Sequence, residues 1–199
     1  DGQEPQETTG NMSDEEPRWG DTHGHPGCYG CQMCFACLLE EDPPVLFLDV
    51  DGVLNSARFL RENPGAFDRG EDEAGAMDTV AVARLEQVLV RTGALIVVSS
   101  TWRILNTVEQ ILDFLHRRGA PSAKIIGVTP HLTGYRGEEI KTYLKEHPEV
   151  TRFAIVDDDS DMAPYHHKLV KTTWEEGMLD EHVELLVTML NEGGSPAST

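Results

Sequence analysis

Acidic residues gather at two points where apolar runs end. "FLDVDGVLNS", residues 47–56, ends one run on Asp49 and Asp51, and "AIVDDDSDM", residues 154–162, ends another on Asp157, Asp158, Asp159 and Asp161. A third run, "LIVVSS", closes on the hydroxyls of Ser99 and Ser100, with Thr101 next. Carboxylates at the edge of apolar segments are costly to bury unless something compensates their charge. In extended chain, residues two apart project to one side, so Asp49 and Asp51 can face a common ligand. Crowded carboxylates repel and raise one another's pKa until a cation neutralises them. An all-oxygen donor set suits a hard ion, Mg²⁺ first.

Such a site needs elements that deliver these residues to one place. Residues 44–50, 94–100, 124–129, 152–158 and 168–172 are short runs rich in Val and Ile. Their continuous apolarity fits strands covered on both faces. Between them, 78–92, 107–118, 137–147 and 178–190 carry helical periodicity, with Gly93 and Gly119 as C-terminal caps and Asn106 with Glu109 as a capping pair. Alternating strands and helices predict an α/β fold: a Rossmann-like, five-stranded, mostly parallel sheet with helices on both faces. Ligands in such folds bind beyond the C-terminal strand ends, where all three polar tips fall.

Thirty-five acidic against sixteen basic residues give the 199-residue chain a net charge of −19. That field repels nucleic-acid backbones and anionic membranes, so a polyanion is disfavoured as partner. No apolar run approaches the ~20 residues that span a bilayer, and no basic-then-apolar leader pattern is present. The expectation is a soluble, cytoplasmic protein without a membrane partner. Residues 1–22 read as a disordered acidic tail, 23–43 as a Cys/His-rich segment and linker, 44–192 as the folded domain, and 193–199 as a flexible tail.

All four cysteines, Cys28, Cys31, Cys34 and Cys37, lie in "CYGCQMCFAC", with His23 and His25 upstream. They offer enough soft ligands for Zn²⁺, although zinc folds usually place two close pairs far apart. The alternative is a tail or short helix whose Tyr29, Met33, Phe35 and Leu39 attach to the domain or a partner. Their crowding disfavours mutual disulfides and fits a reducing compartment.

Taken together, "FLDVDGVLN", "LIVVSS" and "AIVDDDSDM" resemble the three motifs of the haloacid dehalogenase (HAD) superfamily, in order and on the expected elements. "VVSSTWR", "GVTPHLTGYRGEEI" and "VDDDSDM" narrow the resemblance, over roughly 44–190, to the small HAD domains of Swiss-army-knife RNA-repair proteins. The resemblance implies that Asp49 is a nucleophile and that Asp51 first protonates the leaving oxygen, then deprotonates water. It implies Mg²⁺ held by Asp49, the Asp51 carbonyl and Asp157, supported by Asp158 and, close behind, Asp161. Ser99 would donate to a phosphoryl oxygen, with Ser100 as fallback and the Val50 and Ser100 amides nearby. A cation must balance the phosphoryl charge; Arg136, at a helix start, is favoured over Lys141, and Arg103 is a plausible further substrate contact. Residues 54–77 occupy the place of a cap but are too short for a cap domain, leaving room only for a small flap.

These expectations converge on a Mg²⁺-dependent phosphatase acting on a phosphorylated small molecule or polymer end. Two rivals stand beside it. One is a nucleic-acid-end phosphatase. The other is a catalytically idle HAD domain that binds partners, with the Cys/His tail binding metal.

Overall fold

The computed structural model describes residues 43–66 and 76–192. The Cys/His segment lies outside the described residues, as do 67–75 in the flap region and the C-terminal tail. Five strands form one sheet: β1 (Val45–Leu48), β2 (Leu95–Val98), β3 (Ile125–Val128), β4 (Phe153–Asp157) and β5 (Leu169–Lys171). Their order is β3-β2-β1-β4-β5, and every neighbouring pair is parallel. The sheet is thus wholly parallel rather than mostly so.

Central position explains why β1 is fully buried along its length. Leu48 is level with Val98 on one side and Val156 on the other, so the residues following all three strands emerge together. The chain runs outward from β1 through β2 to β3, then returns to lay β4 on the opposite side of β1. The β1/β4 boundary is therefore the point where strand order reverses, the usual crevice for ligands in open parallel sheets.

Helices α1 (Ala57–Glu62), α2 (Thr79–Thr92), α3 (Trp102–Leu105), α4 (Val108–Arg118), α5 (Arg136–Glu146) and α6 (Asp180–Asn191) complete the domain. Leu46, Leu48, Ile96, Val98 and Val156 form one core with Val82, Leu85 and Leu89 of α2, Ile111 and Leu115 of α4, and Val183, Leu186 and Leu190 of α6. The other face is thinner. There Phe47 meets Tyr143 of α5 and Phe153 of β4 edge-on, each at a centroid distance of 5.6 Å. Such ring pairs contribute about 1 kcal/mol beyond their buried area.

Caps follow the sequence closely, with one shift. Gly93 and Gly119 end α2 and α4 in the left-handed conformation, at φ 65° and 112°. The capping box of α4 is made by Thr107 and Gln110, not by Asn106 and Glu109, because the helix starts one residue later than periodicity alone suggests. Asn106 instead ends α3, where its amide nitrogen donates to the Trp102 carbonyl. The short helices α1 and α3 add to the four that periodicity predicts. The α1 segment is joined to the loop before α6 by Ala57 N–H to Trp174 O at 2.8 Å and by the Arg58–Glu176 and Arg61–Glu175 ion pairs. No helix among the described residues is long and apolar enough to cross a membrane.

The start of α5 lies hard against the loop after β4. A Cβ at Gly137 would come within 2.1 Å of the Ala163 carbonyl oxygen, and backbone cannot yield as a flexible side chain would. Gly134, nearby, has open space. Gly137→Ala is expected to destabilise by about 2 kcal/mol or more, while Gly134→Ala leaves stability unchanged or slightly raised, by less than about 1 kcal/mol. Urea unfolding of the two variants measures the contrast.

Candidate active site

Asp49 follows β1 directly, and its amide donates to the Val156 carbonyl at 3.1 Å, which pins it beside the end of β4. Asp157 is the last residue of β4. Both side chains are buried. One carboxylate oxygen each from Asp49, Asp157 and Asp158 lies within 4.8 Å of the others. Gly52 makes this possible. It turns at φ 72°, and a Cβ there would fall 2.3 Å from the Asp158 carboxyl carbon.

The cation facing this cluster is Arg136, the first residue of α5. Its Nη1 stands 3.8 Å from Asp49 Oδ1 and its Nε 3.7 Å from Asp157 Oδ2, while Nη1 also donates to the Ser99 carbonyl. Asp161 lies outside the carboxylate cluster and does different work. Its Oδ2 accepts the Arg136 amide at 3.0 Å and its carbonyl accepts the Gly137 amide at 3.0 Å. It thus caps the N-terminus of α5 from another loop, where Tyr135 supplies no side-chain cap.

Lys141 is not brought to the site. One turn further along α5 it is half exposed and pairs with Glu138 at 3.1 Å. Arg103 is likewise spent elsewhere. Its Nε donates to the Thr129 carbonyl at 2.9 Å, Nη2 to Glu139 at 2.7 Å and to the Pro130 carbonyl, and Nη1 to the Ser100 carbonyl. With Glu139 also accepting the Leu132 amide at 3.0 Å, the buried pair braces α3, α5 and the loop between β3 and α5. Breaking such a pair is costly because it strands a buried charge.

The hydroxyls divide their work. Ser100 and the Val50 amide lie close enough to the Asp49 carboxylate to favour its ionised form. Ser99 Oγ is buried without a partner among the described residues, so its donor is free for an incoming oxygen. Asp51 opens a turn after β1 rather than extending it, and takes no part in the carboxylate cluster. Its Oδ1 accepts the Trp102 indole N–H at 3.0 Å and the Asn55 amide at 2.8 Å. Neither Trp102 nor Asn55 stands out in the sequence as a site residue, although both sit inside motifs of the site, "VVSSTWR" and "FLDVDGVLN".

The electrostatics suit a cation. Burial raises the Asp49 carboxyl from 3.8 to about 6, against the opposing pull of Arg136 and the Ser100 and Val50 donors. Burial, then the Asp49 charge, raises Asp157 from 3.8 to about 8 despite Arg136. Burial also raises Asp158. Asp157 Oδ2 is buried with no hydrogen bond among the described residues. Arg136 faces Asp49 and Asp157, Lys171 acts on Asp158, and Asp51 and Asp159 add further negative charge, so carboxylates outnumber cations here. Octahedral Mg²⁺ holds ligand oxygens roughly 2.9–4.2 Å apart, so a small inward movement of these side chains would complete a binding site. The donor set fits.

A family described as "HAD domain in Swiss Army Knife RNA repair proteins" matches residues 45–183, which contain every residue of this site. The chain belongs to that HAD family. No curated protein and no solved structure matches it. The match runs from β1 into the first turn of α6, and hydrolase chemistry is what membership implies.

In the metal-free HAD domain, Asp49 and Asp157 hold protons more tightly when folded than when unfolded. The stability they contribute is full below about pH 3.8 and is lost as pH rises through about 6 and about 8. Thermal melts in EDTA should show Asp157→Asn gaining on the wild type over that window. Added Mg²⁺ at about pH 8 should raise the wild-type Tm and leave that of Asp157→Asn nearly unmoved.

Proposed function

We propose that this chain is a Mg²⁺-dependent phosphatase that hydrolyses phosphate monoesters through an aspartyl-phosphate on Asp49. One observation carries the reading: carboxylate oxygens of Asp49, Asp157 and Asp158 converge within 4.8 Å, with Arg136 the cation beside them. A bound Mg²⁺ would neutralise those carboxylates and polarise the phosphoryl group.

In the first half-reaction an Asp49 oxygen attacks phosphorus and the ester P–O bond breaks. Asp51 gives its proton to the departing oxygen, which leaves as an alcohol. In the second, Asp51 takes a proton from water as the water oxygen attacks phosphorus. Inorganic phosphate departs, the Asp49 carboxylate is restored, and Asp51 is again protonated. Ser99 Oγ, buried and unpartnered, supplies a donor to the phosphoryl oxygens. Arg136 balances their charge. Its guanidinium is oriented beforehand by the Ser99 carbonyl, so little reorganisation is needed when charge builds up.

A nucleic-acid-end phosphatase is the second reading, favoured by the family's occurrence in RNA repair proteins and opposed by the net charge of −19. Faster phosphate release from a 3′- or 5′-phosphorylated oligonucleotide than from small esters would select it. Turnover of no phosphoester at all would leave the domain as a binding module.

Asp49→Asn should abolish Mg²⁺-dependent release of p-nitrophenol from p-nitrophenyl phosphate, and surviving activity would exclude Asp49 as nucleophile. Arg136→Ala should lower kcat/KM ~100-fold or more, and Lys141→Ala should change it by less than ~2-fold.

A further inference from the structure

Asp51 is held by two donors that converge on the same oxygen. The Trp102 indole N–H reaches Asp51 Oδ1 at 3.0 Å, and the Asn55 side-chain amide reaches it at 2.8 Å. An indole N–H can only donate, so Oδ1 is fixed as an acceptor and a proton on Asp51 is directed to Oδ2.

Both donors are themselves constrained. Asn55 is almost fully buried, and its Oδ1 accepts the Gly52 amide at 3.0 Å, which settles which end of its side chain faces Asp51. Trp102 is 8% exposed and its ring packs edge-on against Phe114 at 6.4 Å. Its amide donates to Ser100 Oγ at 3.4 Å, and Ser100 in turn favours the ionised form of Asp49. The turn from β2 into α3 thereby gives Asp51 its indole donor and sets Ser100 beside Asp49. A buried indole N–H needs an acceptor, and the one it takes here is the Asp51 carboxylate, 51 residues away.

We propose that Trp102, seconded by Asn55, is a positioning residue that assigns the proton-transferring oxygen of Asp51 to Oδ2. The inference rests on the reading of Asp51 as the acid that protonates the leaving group. In that step the P–O bond to the leaving group breaks as the bond to Asp49 forms, and the Oδ2 proton passes to the departing oxygen. A rotated Asp51 would present the unprotonated oxygen and leave an alkoxide unneutralised. Esters with acidic leaving groups need no such proton, whereas alkyl esters do.

The test compares kcat/KM for an alkyl phosphate and for 2,4-dinitrophenyl phosphate, both with Mg²⁺, in wild type, Trp102→Phe and Asp51→Asn. Phenylalanine keeps an aromatic ring against Phe114 and removes the N–H. Trp102→Phe is expected to lose ~10- to 100-fold on the alkyl ester and less than ~3-fold on the dinitrophenyl ester. Equal losses on both would make Trp102 a structural residue only, and no loss on either would remove it from the mechanism; each overturns the inference. If Asp51→Asn shows no preference for the better leaving group, the acid assignment itself fails. If it does and Trp102→Phe does not, only the positioning role fails. Should Trp102→Phe fold poorly, site-specific replacement of Trp102 by benzothienylalanine, which matches the indole in shape and lacks the N–H, gives the same comparison: a loss confined to the alkyl ester supports the positioning role, and equal losses or none overturn it.

Discussion

Asp49 and Asp157 are neighbours because a ladder hydrogen bond makes them so: the Asp49 amide donates to the Val156 carbonyl, one residue short of Asp157. Parallel pairing of β1 with β4 therefore forces two carboxyls out of water beside each other, where burial and mutual repulsion both favour the protonated forms. A proton relieves that cost at low pH, and a bound cation would relieve it with the carboxylates ionised. Most other features of the rim serve this crowding. Gly52 makes room for the Asp158 carboxyl, Gly137 lets α5 approach, and Asp161 holds the end of that helix so that Arg136 faces the pair.

Rigidity at the rim comes from polar groups bonded to one another and to backbone. Arg103 and Glu139 are buried together and tie α3 and α5 to backbone carbonyls and an amide. Thr172, at the end of β5, donates its hydroxyl to the Gly52 carbonyl at 2.7 Å and so fixes the turn that carries Asp51. These contacts lock the turns of the site to one another, which is how loops acquire the precision that catalysis asks of rigid elements.

Much of this is legible in the sequence, and for physical reasons. Apolar runs that stop abruptly on Asp49, Ser99 and Asp157 are readable because buried parallel strands cannot contain polar residues until they emerge. Position along the helix, with Arg136 at its start and Lys141 one turn inside, places Arg136 nearer the rim. What stays hidden depends on distant contacts. Arg103 looks like a substrate ligand until the carbonyls of Ser100, Thr129 and Pro130 are found around it. Asp161 follows the same acidic run as Asp158, but only the return of α5 reveals that it caps a helix. Trp102 and Asn55 have no signal of their own, since a donor to Asp51 is defined by aim rather than by residue type. The Cys28, Cys31, Cys34 and Cys37 segment lies outside the described residues, so its affinity for zinc is a matter for chemistry on the full chain.

The proposed enzymology depends on a divalent ion held between the tips of β1 and β4, and anomalous diffraction from crystals soaked in Mn²⁺ tests for that ion. Mn²⁺ shares the oxygen-ligand preference of Mg²⁺. A single strong peak is expected within ~2.3 Å of carboxylate oxygens of both Asp49 and Asp157. A peak bound elsewhere, or none at these two residues in protein that still turns over phosphate esters, would contradict a metal-dependent mechanism at this site.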